Sequence, residues 1–140
     1  MSKINYGRVI LGGLVAGLVL NVGELVLNTQ LLMSDWEEAM KALNQPPISG
    51  SASVVFIVLC FVLGILLAWL YAALRPRFGA GPRTAICAGL FVWAIAYAWS
   101  SFSALAMGVF PARLLWISMI WGLVEVPLAA LAGCWFYKEG

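Results

Sequence analysis

The sequence predicts an all-α integral membrane protein in which residues 1–140 form one bundle of four membrane-spanning helices. Composition is the first observation behind this prediction, because hydrophobic residues make up 64% of the 140 residues and charged residues only 10%. Soluble domains average roughly 45–50% apolar and about 25% charged residues. A soluble domain of this size could not bury so much apolar surface, so lipid is the solvent that the composition fits.

Four long apolar runs are the second observation. They cover residues 9–27, 53–74, 84–107 and 114–137, and turn-forming Gly and Pro residues separate them. A hydrocarbon core about 30 Å thick takes about 20 helical residues, and a helix satisfies its own backbone hydrogen bonds where water is absent. Small residues, among them the pair Gly13 and Gly17, mark the helix faces that we expect to pack closely.

The distribution of basic residues predicts the orientation, because short cytoplasmic loops retain Lys and Arg. With both termini in the cytoplasm, only Lys41 and Arg113 lie outside. The other six basic residues then lie inside: Lys3, Arg8, Arg75, Arg77, Arg83 and Lys138. We therefore expect a multi-pass protein of a cell membrane, in particular of a bacterial inner membrane, with its N and C termini inside.

A short amphipathic helix is expected in the outer loop, over about residues 34–43. Ser34 and Glu37 match a capping box at its start. Trp36, Met40 and Leu43 recur at helical spacing and give the helix one apolar face. Trp36 is the candidate membrane-interface anchor, dipping toward the headgroups. The alternative is that this helix closes the outer end of the bundle.

Glu24 and Glu125 interrupt the apolar pattern of the first and fourth runs. An ionisable group at the centre of a membrane helix costs roughly 2.5–3.5 kcal/mol, so both are expected to face protein or a cavity. Counted along the helices at 1.5 Å per residue, Glu24 lies about 24 Å from Arg8 and Glu125 about 18 Å from Arg113. This difference in depth argues against a shared-proton pair. Arg113 is the expected partner of Glu24 in an ion pair.

The surroundings of Glu125 leave two interpretations open. Pro127 is expected to kink the helix and to leave the Leu123 carbonyl without its N–H partner. A freed carbonyl beside a carboxyl is typical of the polar pockets in which transporters bind protons or cations. Alternatively, Glu125 hydrogen-bonds a neighbouring side chain and holds the bundle together; the candidates for this bond are Tyr97, Asn21 and Ser100.

The sequence favours a structural or accessory membrane subunit, acting in the bilayer as a homo-oligomer or within a larger complex. The alternative is a proton-coupled small-molecule transporter that works as an oligomer through Glu24 and Glu125. Basic residues form no stripe for nucleic acid, and the chain has no His and only three Cys without C-x-x-C spacing. We accordingly predict no metal site, no cofactor and no enzymatic activity.

The orientation gives a prediction that reporter tags can test. A tag fused after residue 140 and a tag fused before residue 1 should both report the cytoplasmic side, whereas a tag inserted between residues 44 and 48 should report the opposite side. Accessibility of each tag to an impermeant thiol reagent in intact cells measures this. Labelling of the two terminal tags from opposite faces would rule out an even number of spans.

Overall fold

The structure, a computed structural model, describes residues 3–138, and all the regular elements within them are helices. The first half contains α1 (Tyr6–Val26), α2 (Met33–Ala42) and α3 (Gly50–Phe78). The second half contains α4 (Pro82–Trp93), α5 (Trp99–Met107) and α6 (Ala112–Trp135). Two π-helical turns, Leu27–Leu31 after α1 and Ala94–Ala98 between α4 and α5, continue the helices that they follow.

Four helical segments are long and apolar enough to cross a membrane. Span one is Tyr6–Leu31, span two Gly50–Phe78, span three Pro82–Met107 and span four Ala112–Trp135. The predicted runs lie within or close to these bounds, and spans one and two extend beyond their predicted runs at both ends. The start of span two is defined by a cap, the Ser49 hydroxyl, which accepts a hydrogen bond of 3.2 Å from the N–H of Ala52. This architecture is that of a small multi-pass membrane protein.

Span one packs against spans two and four, because α1 contacts both α3 and α6, and α4 packs mainly on α6. Small residues make the contact between α1 and α3 possible. A Cβ added at Gly64 would lie 2.5 Å from the Gly17 nitrogen, and it would also overlap the Gly13 carbonyl oxygen. The predicted packing at Gly13 and Gly17 is therefore confirmed, since backbones approach this closely only without side chains between them.

One end of the bundle holds the start of α1, the end of α6 and the turn between α3 and α4. The Tyr137 hydroxyl accepts a hydrogen bond from the Asn5 N–H (3.2 Å), and the Arg75 guanidinium lies 5.2 Å from the centre of the Tyr137 ring. The Gly81 N–H donates to the Tyr71 hydroxyl at 3.1 Å. The six basic residues that were expected on one side of the membrane therefore flank the same end of the bundle.

The opposite end holds α2 and a smaller core of Leu27, Leu32 and Leu114, against which Trp36 and Phe110 pack. Helix α2 begins at Met33, and no side chain caps it. The predicted capping box of Ser34 and Glu37 is therefore wrong: the chain is already helical at Ser34, because the π-helical turn leads almost directly into α2.

The contact at Gly64 gives a prediction of stability. Gly64→Ala should destabilise the bundle by about 1–3 kcal/mol, the usual range for overpacking, because the added Cβ meets backbone atoms that cannot rotate away. Thermal unfolding in detergent, followed by circular dichroism, measures the change. Gly50→Ala is the matched control, since a Cβ at Gly50 meets nothing within 4 Å. Equal melting temperatures for the two variants would contradict the close packing of α1 on α3.

Candidate functional site

Glu24, Tyr97 and Glu125 meet inside the bundle, and we call these three residues the carboxyl cluster. The Tyr97 hydroxyl lies 2.9 Å from Glu24 Oε1 and 3.3 Å from Glu125 Oε2. The two carboxyl groups therefore meet at one hydroxyl group. Because Glu24 comes from span one, Tyr97 from span three and Glu125 from span four, the cluster joins three of the four spans.

The two carboxyl groups can hold a proton of their own in addition to the hydroxyl proton of Tyr97. A phenol hydroxyl carries a single proton and can donate it to one carboxylate at a time. Within residues 3–138 the ion pair is between Arg113 and Asp35, and no Lys or Arg side chain neutralises either member of the carboxyl pair. Two like charges in contact in an apolar interior are strongly unfavourable, so the pair is suited to holding one shared proton.

Both π-helical turns contribute a side chain to this network. Tyr97 lies in the turn Ala94–Ala98, and Asn28 lies in the turn Leu27–Leu31. The Asn28 amide donates to Glu24 Oε2 (3.1 Å) and to the Glu24 carbonyl (2.8 Å). In turn, Trp36 Nε1 donates to Asn28 Oδ1 at 2.8 Å. An extra residue in a helical turn changes the direction of the side chains that follow, and such turns are frequent at functional sites.

Two glycines provide the space that the cluster occupies. A Cβ at Gly122 would lie 2.5 Å from Cδ1 of the Tyr97 ring, so α6 can receive that ring only where it has no side chain. A Cβ at Gly23 would overlap the Glu125 carboxyl group. The glycine next to Glu24 in the sequence therefore makes room for the other carboxyl group, that of Glu125.

Glu125 is the most enclosed member of the cluster. The residue is only 6% exposed, and its Oε1 atom has no hydrogen-bond partner among the described residues. An apolar groove between α1 and α6, with a volume of about 580 Å³, borders this carboxyl group, and the Trp121 side chain also lines the groove. Because the walls of the groove are apolar, no polar side chains surround Glu125 on that side.

The prediction that Glu24 and Glu125 lie too far apart in depth to share a proton is wrong. The two helices run antiparallel, since Gly12 of α1 packs on Gly133 of α6 and Gly23 packs on Glu125. Side chains on a helix lean toward its N terminus. In antiparallel helices the two glutamates therefore lean toward each other, which closes the gap that counting along the backbone suggested.

The predicted ion pair between Glu24 and Arg113 is also wrong. Arg113 Nη1 lies 2.8 and 2.9 Å from the two carboxylate oxygens of Asp35, in the first turn of α2. The Arg113 side chain is 67% exposed, so this pair lies at the end of the bundle, where a charge costs less than it does deep in a span. Glu24 is bonded instead by Tyr97 and Asn28.

Three residues were predicted as candidate hydrogen-bond partners of Glu125, and one of them makes this bond. Tyr97 is the hydrogen-bond partner of Glu125, as one interpretation proposed, but Asn21 and Ser100 are not. The Asn21 amide donates to the Ile57 carbonyl (3.3 Å), between spans one and two. Ser100 bonds carbonyls of its own helix, at Ala96 and Tyr97.

Trp36, the predicted interface anchor, and Pro127, the predicted kink, each pack against another part of the chain. The Trp36 ring packs edge-on against Phe110, with centroids 6.1 Å apart, and its N–H is bonded to Asn28. The indole nitrogen of the predicted interface anchor is thus engaged within the protein. Helix α6 continues through Pro127, which packs against Gly89 of α4, where a Cβ would lie 3.0 Å from the Pro127 Cα atom.

Sequence reasoning missed the roles of Gly23 and Gly122. Their signal was positional, since Gly23 directly precedes Glu24 and Gly122 lies one helical turn before Glu125. No protein-family model, curated protein or solved structure matches this chain.

The bridging hydroxyl gives a prediction. Tyr97→Phe should lower the free energy of unfolding by about 1–3 kcal/mol, because two buried carboxyl groups lose their shared donor while the ring packing is kept. Thermal or denaturant unfolding in detergent measures the loss. The control is Tyr6→Phe, whose side chain is largely exposed at the start of α1. If Tyr97→Phe unfolds no more easily than the control, the hydroxyl does not hold the carboxyl pair.

Proposed function

We propose that this chain is a structural or accessory subunit of a cell membrane, working as a homo-oligomer or within a larger membrane complex. In this role the carboxyl cluster is an interhelical tie that fixes spans one, three and four. The observation that carries the proposal is the Tyr97 hydroxyl, which lies within hydrogen-bonding distance of carboxyl groups from two other spans. Hydrogen bonds between helices, together with close packing, drive association where lipid gives no hydrophobic driving force.

The surface of span two supports a role in assembly. In the first half of α3, the consecutive residues Val54, Val55, Phe56, Ile57, Val58 and Leu59 are all exposed, so this part of the helix makes few contacts within the bundle. Next to this segment, the Asn21 amide lies at the open seam between spans one and two. A polar amide in a lipid-facing seam is better accommodated beside another helix than in hydrocarbon.

The orientation belongs to the same proposal. With both termini in the cytoplasm, the basic end of the bundle faces the cytosol, and α2 with the Asp35–Arg113 pair faces the opposite side. This arrangement suits a bacterial inner membrane. The proposed partners are lipid and other membrane helices; neither nucleic acid nor enzymatic chemistry is part of the proposal.

A proton-coupled transporter is the second candidate, and one observation favours it. The carboxyl pair has no cationic partner among residues 3–138, which is the chemistry of a site that gains and loses a proton. Such a transporter would act as an oligomer, because four helices enclose little space. The enclosure of Glu125 by apolar walls argues for the subunit over the transporter.

Two sets of variants separate these functions. The double variant E24Q/E125Q keeps hydrogen-bonding side chains but removes both titratable groups, whereas E24A/E125A removes the tie itself. For a subunit, we expect the alanine variant to lose stability and assembled protein in native mass spectrometry, the glutamine variant to resemble wild type, and neither to change proton flux in proteoliposomes. The control is Glu38→Gln, on the exposed face of α2.

The opposite pattern would replace the subunit proposal with the transporter. In that case wild-type proteoliposomes show a proton flux driven by a pH gradient, and E24Q/E125Q abolishes it while the protein remains folded and assembled. An alanine variant as stable and as well assembled as wild type would refute the interhelical tie directly.

A further inference from the structure

We propose that a second copy of this chain docks on span one, so that the protein forms a parallel dimer in which the two α1 helices lie side by side and their Asn21 amides pair. The inference rests on the subunit function proposed above, and it names the partner and the surface. That surface lies on α1, and we call it the α1 stripe. It consists of Leu11, Leu14, Leu18, Asn21 and Leu25.

The spacing of the α1 stripe is typical of a helix that pairs with another helix. Its members follow one another at intervals of three, four, three and four residues. This average of 3.5 residues keeps one seam facing a partner in a left-handed coiled coil. All four leucines are exposed, from 41% at Leu11 to 63% at Leu25. The stripe is about 21 Å long at 1.5 Å per residue, so it extends over about two thirds of the hydrocarbon core.

The Asn21 amide favours a protein partner over lipid at this stripe, since leucine alone suits either. Its Nδ2 group donates to the Ile57 carbonyl at 3.3 Å, and this bond is exposed on the surface of the bundle. Among the described residues, none donates a hydrogen bond to Asn21 Oδ1. An amide offers two donor protons and two acceptor lone pairs, so most of its capacity is unused. Hydrocarbon supplies no partner for it, whereas another polar side chain does.

A second copy presents the matching group by symmetry. Copies of one membrane protein insert with the same orientation, so a two-fold axis along the membrane normal brings the same residue of both copies to the same depth. Because an amide both donates and accepts, Asn21 of one copy complements Asn21 of the other. A single Asn in an apolar seam also specifies the register of two helices, since a shifted alignment leaves both amides unpaired.

A hollow beside Asn21 has the size to receive a side chain of the second copy. It lies between α1 and α3 and has a volume of about 260 Å³. Leu18, Asn21 and Leu25 of the stripe line it, together with Ile57 and Phe61 of α3. A cavity of about 150 Å³ in a protein core holds a benzene molecule, so this hollow can hold a leucine side chain. A leucine of the partner's stripe would enter it as a knob enters a hole.

Self-association in a bilayer tests the pairing of the amides. The full chain, carrying a donor or an acceptor dye at its N terminus, is reconstituted in phosphatidylcholine vesicles at a series of protein-to-lipid ratios, and energy transfer gives the dissociation constant. We expect Asn21→Leu to weaken the dimer by roughly three- to thirtyfold, the range for hydrogen bonds between membrane helices. Asn21→Gln keeps an amide and should retain most of the affinity.

Ser100→Ala is the matched control for the loss of a polar group. Ser100 is also exposed on a span, but its hydroxyl already bonds carbonyls of its own helix. It therefore needs no partner from another chain. We expect this variant to dimerise as wild type does.

Cysteine cross-linking locates the interface with Asn21 intact, and it decides the question if Asn21→Leu does not fold. With the native cysteines replaced by alanine, Leu18→Cys should form a disulfide between copies when membranes are oxidised with iodine. Disulfides require Cα atoms about 4.4–6.8 Å apart, so only positions near the two-fold axis react in this way. Ile95→Cys is the control, because Ile95 is 59% exposed, close to the 57% of Leu18, but lies on span three.

Three results would overturn the inference. An Asn21→Leu variant that folds and dimerises as tightly as wild type would show that the amides do not pair. Cross-linking of Leu18→Cys that is no stronger than that of Ile95→Cys would assign dimerisation to another surface. Wild-type protein that stays monomeric at every protein-to-lipid ratio would leave the stripe to lipid or to a different protein. None of these refutes the subunit function, which fails instead if E24Q/E125Q abolishes a proton flux.

Discussion

The shared hydroxyl of Tyr97 is the interaction on which the arrangement of this bundle depends. In hydrocarbon, a polar group that finds no partner in the protein finds none at all, so two acidic side chains in apolar spans restrict the structure severely. The bundle meets this restriction by bringing the carboxyl groups of Glu24 and Glu125 to one donor. That meeting ties spans one, three and four to one another.

The close packing of the helices is the second condition for the cluster. Glycine in α1 and α6 lets a ring and a carboxyl group fit between helices that otherwise touch through their backbones, as at Gly12 and Gly133. The π-helical turns carry Asn28 and Tyr97 and set the direction in which these two side chains point. A cluster built this way combines small residues for proximity with polar residues for specificity, as is usual in membrane helix bundles.

The two acids of the cluster are held in different ways. Glu24 is bonded on both carboxylate oxygens, by Tyr97 and Asn28, whereas Glu125 is bonded on one. The other oxygen of Glu125, Oε1, packs against Gly23 of α1. The two acids therefore differ in their bonding: polar side chains hold both oxygens of Glu24, whereas one oxygen of Glu125 is packed against α1.

The sequence by itself determined the four helices and the residues that interrupt their apolar pattern. Both follow from local properties, because length, hydropathy and turn residues are written along the chain. It also identified Tyr97 as a partner for Glu125, although Asn21 and Ser100 were equally plausible candidates. Gly13 and Gly17 indicated that α1 packs closely on another helix, because small residues let backbones approach, but they did not indicate that the partner is α3.

Only the tertiary structure decided which charged and polar groups meet. Glu24 pairs with Glu125 because antiparallel packing and the lean of the side chains bring them together, and neither is visible from residue numbers. Arg113 pairs with Asp35 because α2 folds back over the start of α6. Such pairings depend on the positions of several helices at once, whereas the pattern along each helix constrains only its own faces.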